Sequence, residues 1–277
     1  MRNSKLTSIA KETVSIGDAG FYNINSRQKI EIKEEIYDMI ENTRVIKGEP
    51  CSDILAYTRN NLEMSNVLVT ERTTNEAIEH WYGTEGVSKI IILNFASAKN
   101  PGGGFLKGSR AQEEQLCYRS LLYKSLATKM EEFYKVGREN PRDGLYHNLA
   151  IYSEKVPFIR NEALELIEPM FVDVITCPAV NRGVAEKNRI ANTTILVEMY
   201  NRCNLVMDTV LENLEDNAVV ILGAFGCGVF KNNPRQVADI FKVLIAKHKQ
   251  LLVDRNITIE FAIPKGPNLD EFKRIIR

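Results

Sequence analysis

Strand patterns alternate with helical patterns along most of this chain, which predicts an α/β protein whose mixed or largely parallel sheet is covered by helices on both faces. Three observations carry that expectation. The runs Ile90-Ile91-Ile92-Leu93-Asn94-Phe95-Ala96 and Val219-Val220-Ile221-Leu222 are apolar almost without alternation, as strands buried on both faces must be. Each runs into a glycine-rich loop, and a helical pattern follows each loop. The composition, 44% apolar and 26% charged over 277 residues, is that of an ordinary globular chain with ample core. No repeat, low-complexity tract or linker breaks the sequence. The expected architecture is one compact three-layer α/β/α unit with an N-terminal helical extension.

The elements follow in order. Leu6, Ile9, Ala10, Thr13 and Val14 line one face of an opening helix that stops near Gly17. Lys29-Ile30-Glu31-Ile32 alternates as a short strand, and Ile36, Met39 and Ile40 mark a helix after it. Val67-Leu68-Val69 reads as a strand and residues 74–82 as a helix. Strand 90–96 delivers the loop Asn100-Pro101-Gly102-Gly103-Gly104-Phe105-Leu106-Lys107-Gly108. Ser109 and Gln112 have the spacing of a capping box, so a long helix is expected from Gln112 to about residue 135. Strands over 149–152 and 171–175 come next, then helical segments across 184–213 with a break near Asn192-Thr193. Strand 219–222 leads to a second loop, Gly223-Ala224-Phe225-Gly226-Cys227-Gly228-Val229-Phe230. A helix over 236–252, a strand over 257–261 and a helix over 270–276 complete the order.

A strand that feeds a glycine loop and then a helix N-terminus forms an anion cradle, because free N–H groups and the helix dipole both favour negative charge. Three successive glycines allow close backbone approach or positive φ. Gln112-Glu113-Glu114 opens the helix that follows, and phosphate binding alone does not call for those acids. Two competing nucleotide motifs fail. In Lys107-Gly108-Ser109 the lysine lies on the wrong side of the glycine for a P-loop. Gly223, Gly226 and Gly228 have the spacing of a dinucleotide fingerprint reversed. The 36 basic and 36 acidic residues cancel, so no basic excess marks a tracker of long polyanions or a sequence-specific nucleic-acid binder. A small or terminal phosphate ligand fits better. Five scattered cysteines and three isolated histidines form no disulfide framework and no zinc spacing. Reduced thiols in a cytoplasmic protein are expected, with no metal and no cofactor. No apolar run approaches the ~20 residues of a membrane span.

At these residues the chain resembles a family. Asn94-Phe95-Ala96-Ser97-Ala98-Lys99-Asn100-Pro101-Gly102-Gly103-Gly104, with Gln112-Glu113-Glu114 after it, is similar to the signature of bacterial-type poly(ADP-ribose) glycohydrolases, hydrolytic members of the macro-domain superfamily. The loop from Gly223 to Phe230 resembles that family's second ligand loop. Tyr152-Ser153, Val156-Pro157 and Cys177-Pro178-Ala179-Val180-Asn181 also match family stretches. The resemblance implies a macro-domain-like mixed sheet, with an N-terminal extension over 1–60 packed on a catalytic core over 61–277. It also implies that Gly102, Gly103 and Gly104 and the loop Gly226, Cys227, Gly228, Val229 and Phe230 close over the diphosphate and distal ribose of ADP-ribose. Asn100 matches a ribose-contacting asparagine, and Gln112 stands with the ligand-binding residues.

The implied activity is hydrolysis of the ribose–ribose O-glycosidic bond of poly(ADP-ribose), with ADP-ribose and ADP-ribosylated proteins as partners. Such cleavage passes through an oxocarbenium-like state and requires a proton for the departing oxygen. By the resemblance Glu114 is that acid and Glu113 orients it or the ribose. Adjacent helix residues point about 100° apart, so the two acids cannot flank one bond from opposite sides as ordinary glycosidase pairs do. A helix N-terminus lowers a carboxyl pKa where a general acid needs it raised, and burial is the available counterforce. Two other readings stay open at this level. One is a non-catalytic ADP-ribose-binding module, which has no need of an acid at Glu114. The other is a hydrolase of mono-ADP-ribosylated or related nucleotide substrates.

Overall fold

The computed structural model describes residues 4–51 and 66–276. α1 (Ser4–Ala19) leads into a two-stranded antiparallel sheet of β1 (Phe21–Asn25) and β2 (Gln28–Glu31). α2 (Lys33–Glu41), β3 (Arg44–Lys47), β4 (Val67–Thr70), α3 (Thr74–Tyr82) and β5 (Ile90–Phe95) come next. A series of short helices follows: α4 (Gln112–Arg119), α5 (Leu122–Ala127), a π-helix (Met130–Lys135) and α6 (Val136–Glu139). β6 (Leu149–Arg160) and β7 (Leu166–Cys177) form a long hairpin. The chain then runs through α7 (Arg182–Lys187), α8 (Asn192–Glu212), β8 (Val219–Leu222), α9 (Pro234–Lys247), α10 (Lys249–Asp254), β9 (Thr258–Ala262) and α11 (Pro267–Ile276).

The main sheet has seven strands in the order β3-β6-β7-β5-β8-β9-β4. β5 pairs in parallel with β7 on one side and β8 on the other, and β9 and β4 extend the parallel set. β6 runs antiparallel to both β3 and β7. Successive β5 side chains point to opposite faces, as the period of a strand requires. Ile91 and Leu93 pack with Met199, Val206 and Phe241, whereas Ile90 and Ile92 pack with Ile36, Leu116 and Tyr118. Two cores, one on each face of the sheet, make the three layers. After β5 the chain builds β6 and β7 on one side and returns to β8 on the other. This reversal opens a crevice at the carboxyl end of β5.

Several local expectations change. Ser109 does not cap α4: the N-cap is Ala111, itself extended and with no side-chain cap. The long helix expected over 112–135 breaks at Ser120, whose φ of −136° and ψ of 170° are extended. There the chain bridges Phe158, and Leu121 N–H donates to Pro157 O at 3.0 Å, so pairing with β6 displaces the helical hydrogen bond. The strands expected over 149–152 and 171–175 belong to the longer β6 and β7, and residues 188–191 separate α7 from α8. The helix expected over 236–252 divides at His248. β1 and β3 add strands that the apolar pattern did not mark. The expected boundary near residue 60 lies outside the described residues. The described part of that N-terminal segment packs α1 and α2 on the sheet and contributes β3 as its edge, paired with β6.

Candidate active site

Loops from the carboxyl ends of the parallel strands enclose a cavity of about 920 Å³. Its wall takes Ser97, Asn100 and Gly103 from the loop after β5, and Gly226, Gly228, Val229 and Phe230 from the loop after β8. Thr73, Thr74 and Asn75 come from the start of α3, Lys265 and Asn268 from the segment after β9, and Tyr146 from the chain before β6. Gln112, Glu113 and Glu114 complete it from the first turn of α4, and Lys99 and Arg110 add positive charge. Sequence reasoning expected both glycine loops to open onto one crevice, and they do.

The helix start is tied to the strand it follows. Gln112 Nε2 donates to Leu93 O at 2.8 Å and Thr74 Oγ1 at 3.2 Å, while its Oε1 accepts from Phe95 N–H at 2.8 Å. Its amide is therefore a strut that joins α4, β5 and α3, although Gln112 also borders the cavity. Glu113 Oε2 accepts from Ser97 N–H at 2.8 Å, and its Oε1 faces Asn94 Nδ2 at 3.5 Å. Asn94 is itself held by donation to Thr176 Oγ1 at 3.1 Å. Glu114 Oε1 accepts from Gly104 N–H at 2.7 Å, whereas its buried Oε2 has no hydrogen-bond partner. The two acids thus hold the two ends of the segment from Ser97 to Gly104.

Gly103 makes this possible. Its φ is +56°, and a Cβ there would lie 2.5 Å from Glu114 Oε1 and 2.9 Å from Glu113 Oε2. The space that glycine leaves is filled by the acids themselves. The triplet also needs Gly102 at φ +62°, where a Cβ would meet Cys117 Sγ and Tyr123 at 3.1 Å, and Gly104, where it would run into Ser109 Oγ. Gly102 and Gly104 shape the loop from beneath and do not line the cavity. Glu113 and Glu114 are both buried. Burial pushes Glu113 up to about 8; hydrogen bonds from Ser97 and Asn94 oppose the shift, and the charge of Glu114 reinforces it. At Glu113, burial outweighs the helix N-terminus.

In the second loop Gly226 has φ +71°, and a Cβ there would lie 2.5 Å from Ala179 Cβ and 2.6 Å from Asn232 Nδ2. Asn232 Nδ2 donates to Val180 O at 2.8 Å and Gly226 O at 3.1 Å, which fixes the turn. Gly228 has open space where a Cβ would stand, and Val229 is 84% exposed at the rim. Among the described residues the N–H groups of Gly228, Val229 and Phe230 meet no protein acceptor, which leaves three successive donors at the cavity wall for a ligand. Phe230 packs against Tyr146 with ring centroids 6.1 Å apart. Cys227 does not line the cavity: its Sγ donates to Phe225 O at 3.6 Å, and burial pushes the thiol up to about 12, which disfavours the thiolate a nucleophile needs.

Against this geometry the comparisons are specific. The catalytic domain of microbial-type PARG matches residues 10–161. The poly(ADP-ribose) glycohydrolase of Thermomonospora curvata bound to the inhibitor ADP-HPD is similar at 34% identity and a TM-score of 0.84, over 98% of this chain and 99% of that one. The chain belongs to the microbial-type PARG family. The poly(ADP-ribose) glycohydrolase of Deinococcus radiodurans in complex with ADP-ribose also matches, at 34% identity and a TM-score of 0.71, covering 87% of this chain and 96% of that one. Curated proteins offer no match. The three-layer mixed sheet described above is this family's macro-domain-like fold.

Sequence reasoning placed Asn94 and Ser97 in the family signature without giving either a role, and it did not name Tyr146 or Arg138; all four position or line this PARG site. A signal existed for Asn94, a polar residue inside an otherwise apolar strand. Tyr146 and Arg138 lie in segments with no local signature, and only the fold brings them to the loops. Among the described residues no group of three or more His, Cys, Asp and Glu side chains is arranged to hold a metal ion, and no helix is long and apolar enough to cross a membrane.

Proposed function

We propose that this chain hydrolyses the ribose–ribose O-glycosidic bonds of poly(ADP-ribose), works mainly from the polymer terminus and releases ADP-ribose. The observation that carries the reading is Glu114: buried on the wall of a cavity suited to a small ligand, with one oxygen anchored to Gly104 and the other unpartnered. A fixed oxygen orients and a free one reacts. In this reading Glu114 delivers a proton from Oε2 to the departing ribose oxygen as the anomeric C–O bond breaks, and the bond electrons leave with that oxygen. Water then adds to the oxocarbenium-like carbon, and its proton returns to Glu114. Glu113 has hydrogen bonds at both oxygens and acts by orientation. Protonated below about 8, it keeps a second negative charge away from the substrate diphosphate.

The diphosphate is assigned to the unpartnered N–H groups of Gly228, Val229 and Phe230, in a cavity to which Lys99, Arg110 and Lys265 also contribute positive charge. Phe230 and Tyr146 form the aromatic wall assigned to the terminal ribose. The Phe230 side of that wall has no polar tip to adapt to a further glycosidic link, which supports a terminal mode. The structures of the two relatives, which hold ADP-HPD and ADP-ribose, support the same ligand class. ADP-ribosylated proteins are the natural macromolecular substrates, and five free thiols suit a cytoplasmic setting. The test is the product pattern from automodified poly(ADP-ribose). Free ADP-ribose is expected from the earliest times, with the protein-linked last unit left in place. Early oligomers on a sizing gel contradict the terminal mode. ADP-ribose binding without any release makes the protein a reader, and loss of the last unit makes it a mono-ADP-ribosyl hydrolase.

A further inference from the structure

The π-helix Met130–Lys135 and α6 after it lie well away from both glycine loops in sequence, yet α6 contacts the first of them. A π-turn adds a residue to the helical repeat, and each residue advances an α-helix by about 100°. The faces of α6 are therefore rotated relative to a continuous helix. Gly137, in α6 directly after the π-helix, packs against the segment that follows β5: a Cβ on Gly137 would lie 2.0 Å from Ala98 O, so only glycine fits. One residue on, Arg138 Nε donates to Lys99 O at 2.6 Å and its Nη2 lies 3.4 Å from Asn100 Oδ1.

Asn100 is otherwise accounted for. Its N–H donates to Ser97 Oγ at 3.1 Å, and its carbonyl accepts from Gly103 N–H at 3.0 Å. Only its side-chain amide remains to meet the cavity it lines. A guanidinium carries donors and no acceptor, so the amide atom it faces must be the oxygen. The amide nitrogen is then turned away from Arg138, and Asn100 meets a ligand as a donor.

We propose that Arg138 is a positioning residue that fixes the Asn100 amide so that its nitrogen donates to a ribose hydroxyl oxygen of the ligand. The inference rests on the functional reading above, in which Asn100 faces ribose. Arg138 is not among the residues that line the cavity, and it acts on the ligand through Asn100, with its bond to Lys99 O fixing the guanidinium in place.

The test is a double-mutant cycle in ADP-ribose affinity, read by calorimetry with the full chain and accompanied by thermal melts and steady-state turnover. Arg138→Ala is expected to weaken ADP-ribose about tenfold, the order of one or two lost hydrogen bonds. KM should rise in step while kcat stays within about twofold, because the interaction is made equally in ground and transition states. Arg138→Lys is expected to recover little, since an ammonium cannot hold the carbonyl and the amide in one planar fork. In an Asn100→Ala background, Arg138→Ala should add less than about twofold, the mark of one shared interaction. Unchanged affinity of Arg138→Ala overturns the proposal. So does full rescue by lysine, or the same tenfold loss in the Asn100→Ala background. If the unaltered protein fails to bind ADP-ribose at all, the functional reading itself falls, and with it the ribose assigned to Asn100.

Discussion

Replacing Gly103 by alanine tests whether the glycine serves the acids or the ligand. An alanine at φ +56° carries the left-handed cost of about 1–2 kcal/mol. Its methyl then meets Glu114 Oε1 at 2.5 Å and Glu113 Oε2 at 2.9 Å, closer than real Cβ contacts come. Those two oxygens accept from Gly104 N–H and Ser97 N–H, bonds to acids worth roughly 1.5–3 kcal/mol each. Relief therefore displaces either the acids or the loop, and loss of one bond plus the backbone strain comes to roughly 2.5–5 kcal/mol. A displacement near 1 Å at a reacting group costs about 10²-fold in rate. Gly102→Ala is the matched control: its φ is +62°, but its methyl would press on Cys117 and Tyr123 in the core. Both variants should melt several degrees lower. Only Gly103→Ala should lose about 10²-fold in kcat/KM beyond its loss of folded protein, measured well below both melting points. If the two variants keep kcat/KM within about threefold of each other, the acids do not depend on this glycine.

Two further outcomes follow from the same geometry. Glu114→Gln should lower turnover by about 10²–10⁴-fold while ADP-ribose still binds in calorimetry, because the amide oxygen can continue to accept from Gly104 N–H; near-normal release of ADP-ribose would remove Glu114 from the proton-transfer role. Glu113 has a folded pKa raised to about 8 from 4.5, so the folded state binds its proton more tightly than the unfolded chain, and stability declines as pH rises through that window. Glu113→Gln removes the titration, so the melting point of E113Q minus that of the unaltered protein should climb between about pH 5 and 8 and level off above; a flat difference would mean that Glu113 is not held neutral.

How far the sequence reached depended on where the decisive contacts lie. β5 and β8 were legible because strands covered on both faces need unbroken apolar runs, and Ile90 to Leu93 and Val219 to Leu222 supply them. The glycine loops were legible because positive φ restricts residue choice at Gly102, Gly103 and Gly226. The break at Ser120 was not, since it follows from pairing with Phe158, a partner far along the chain. β3 has only Val45 and Ile46 between basic residues, too short a pattern to mark an edge strand. The spacing of Ser109 and Gln112 imitated a capping box, but Gln112 found better partners in Leu93 and Phe95. In the site, the types Gln112-Glu113-Glu114 were visible, and the assignment of one free oxygen to Glu114 was not. That distinction depends on two loop amides, those of Ser97 and Gly104, and on the packing that buries both acids.

The order of strands around β5 also governs when this site can exist. Ile90 pairs with Val219, and Ile91 with Asp173 and Val220, so the central strand is completed only by partners from the later half of the chain. Contacts so distant in sequence carry a large loop-closure entropy and form slowly. The family match over residues 10–161 takes in the acids and the first glycine loop and ends before β7, β8 and the second loop. The segment that most clearly marks the family therefore holds half a ligand cradle. A nascent chain that has emerged no further than β6 carries Glu113 and Glu114 on α4, beside a β5 that still lacks both of its partners, β7 and β8. The acids gain their burial, and Glu113 its raised pKa, only when the rest of the sheet has closed around them.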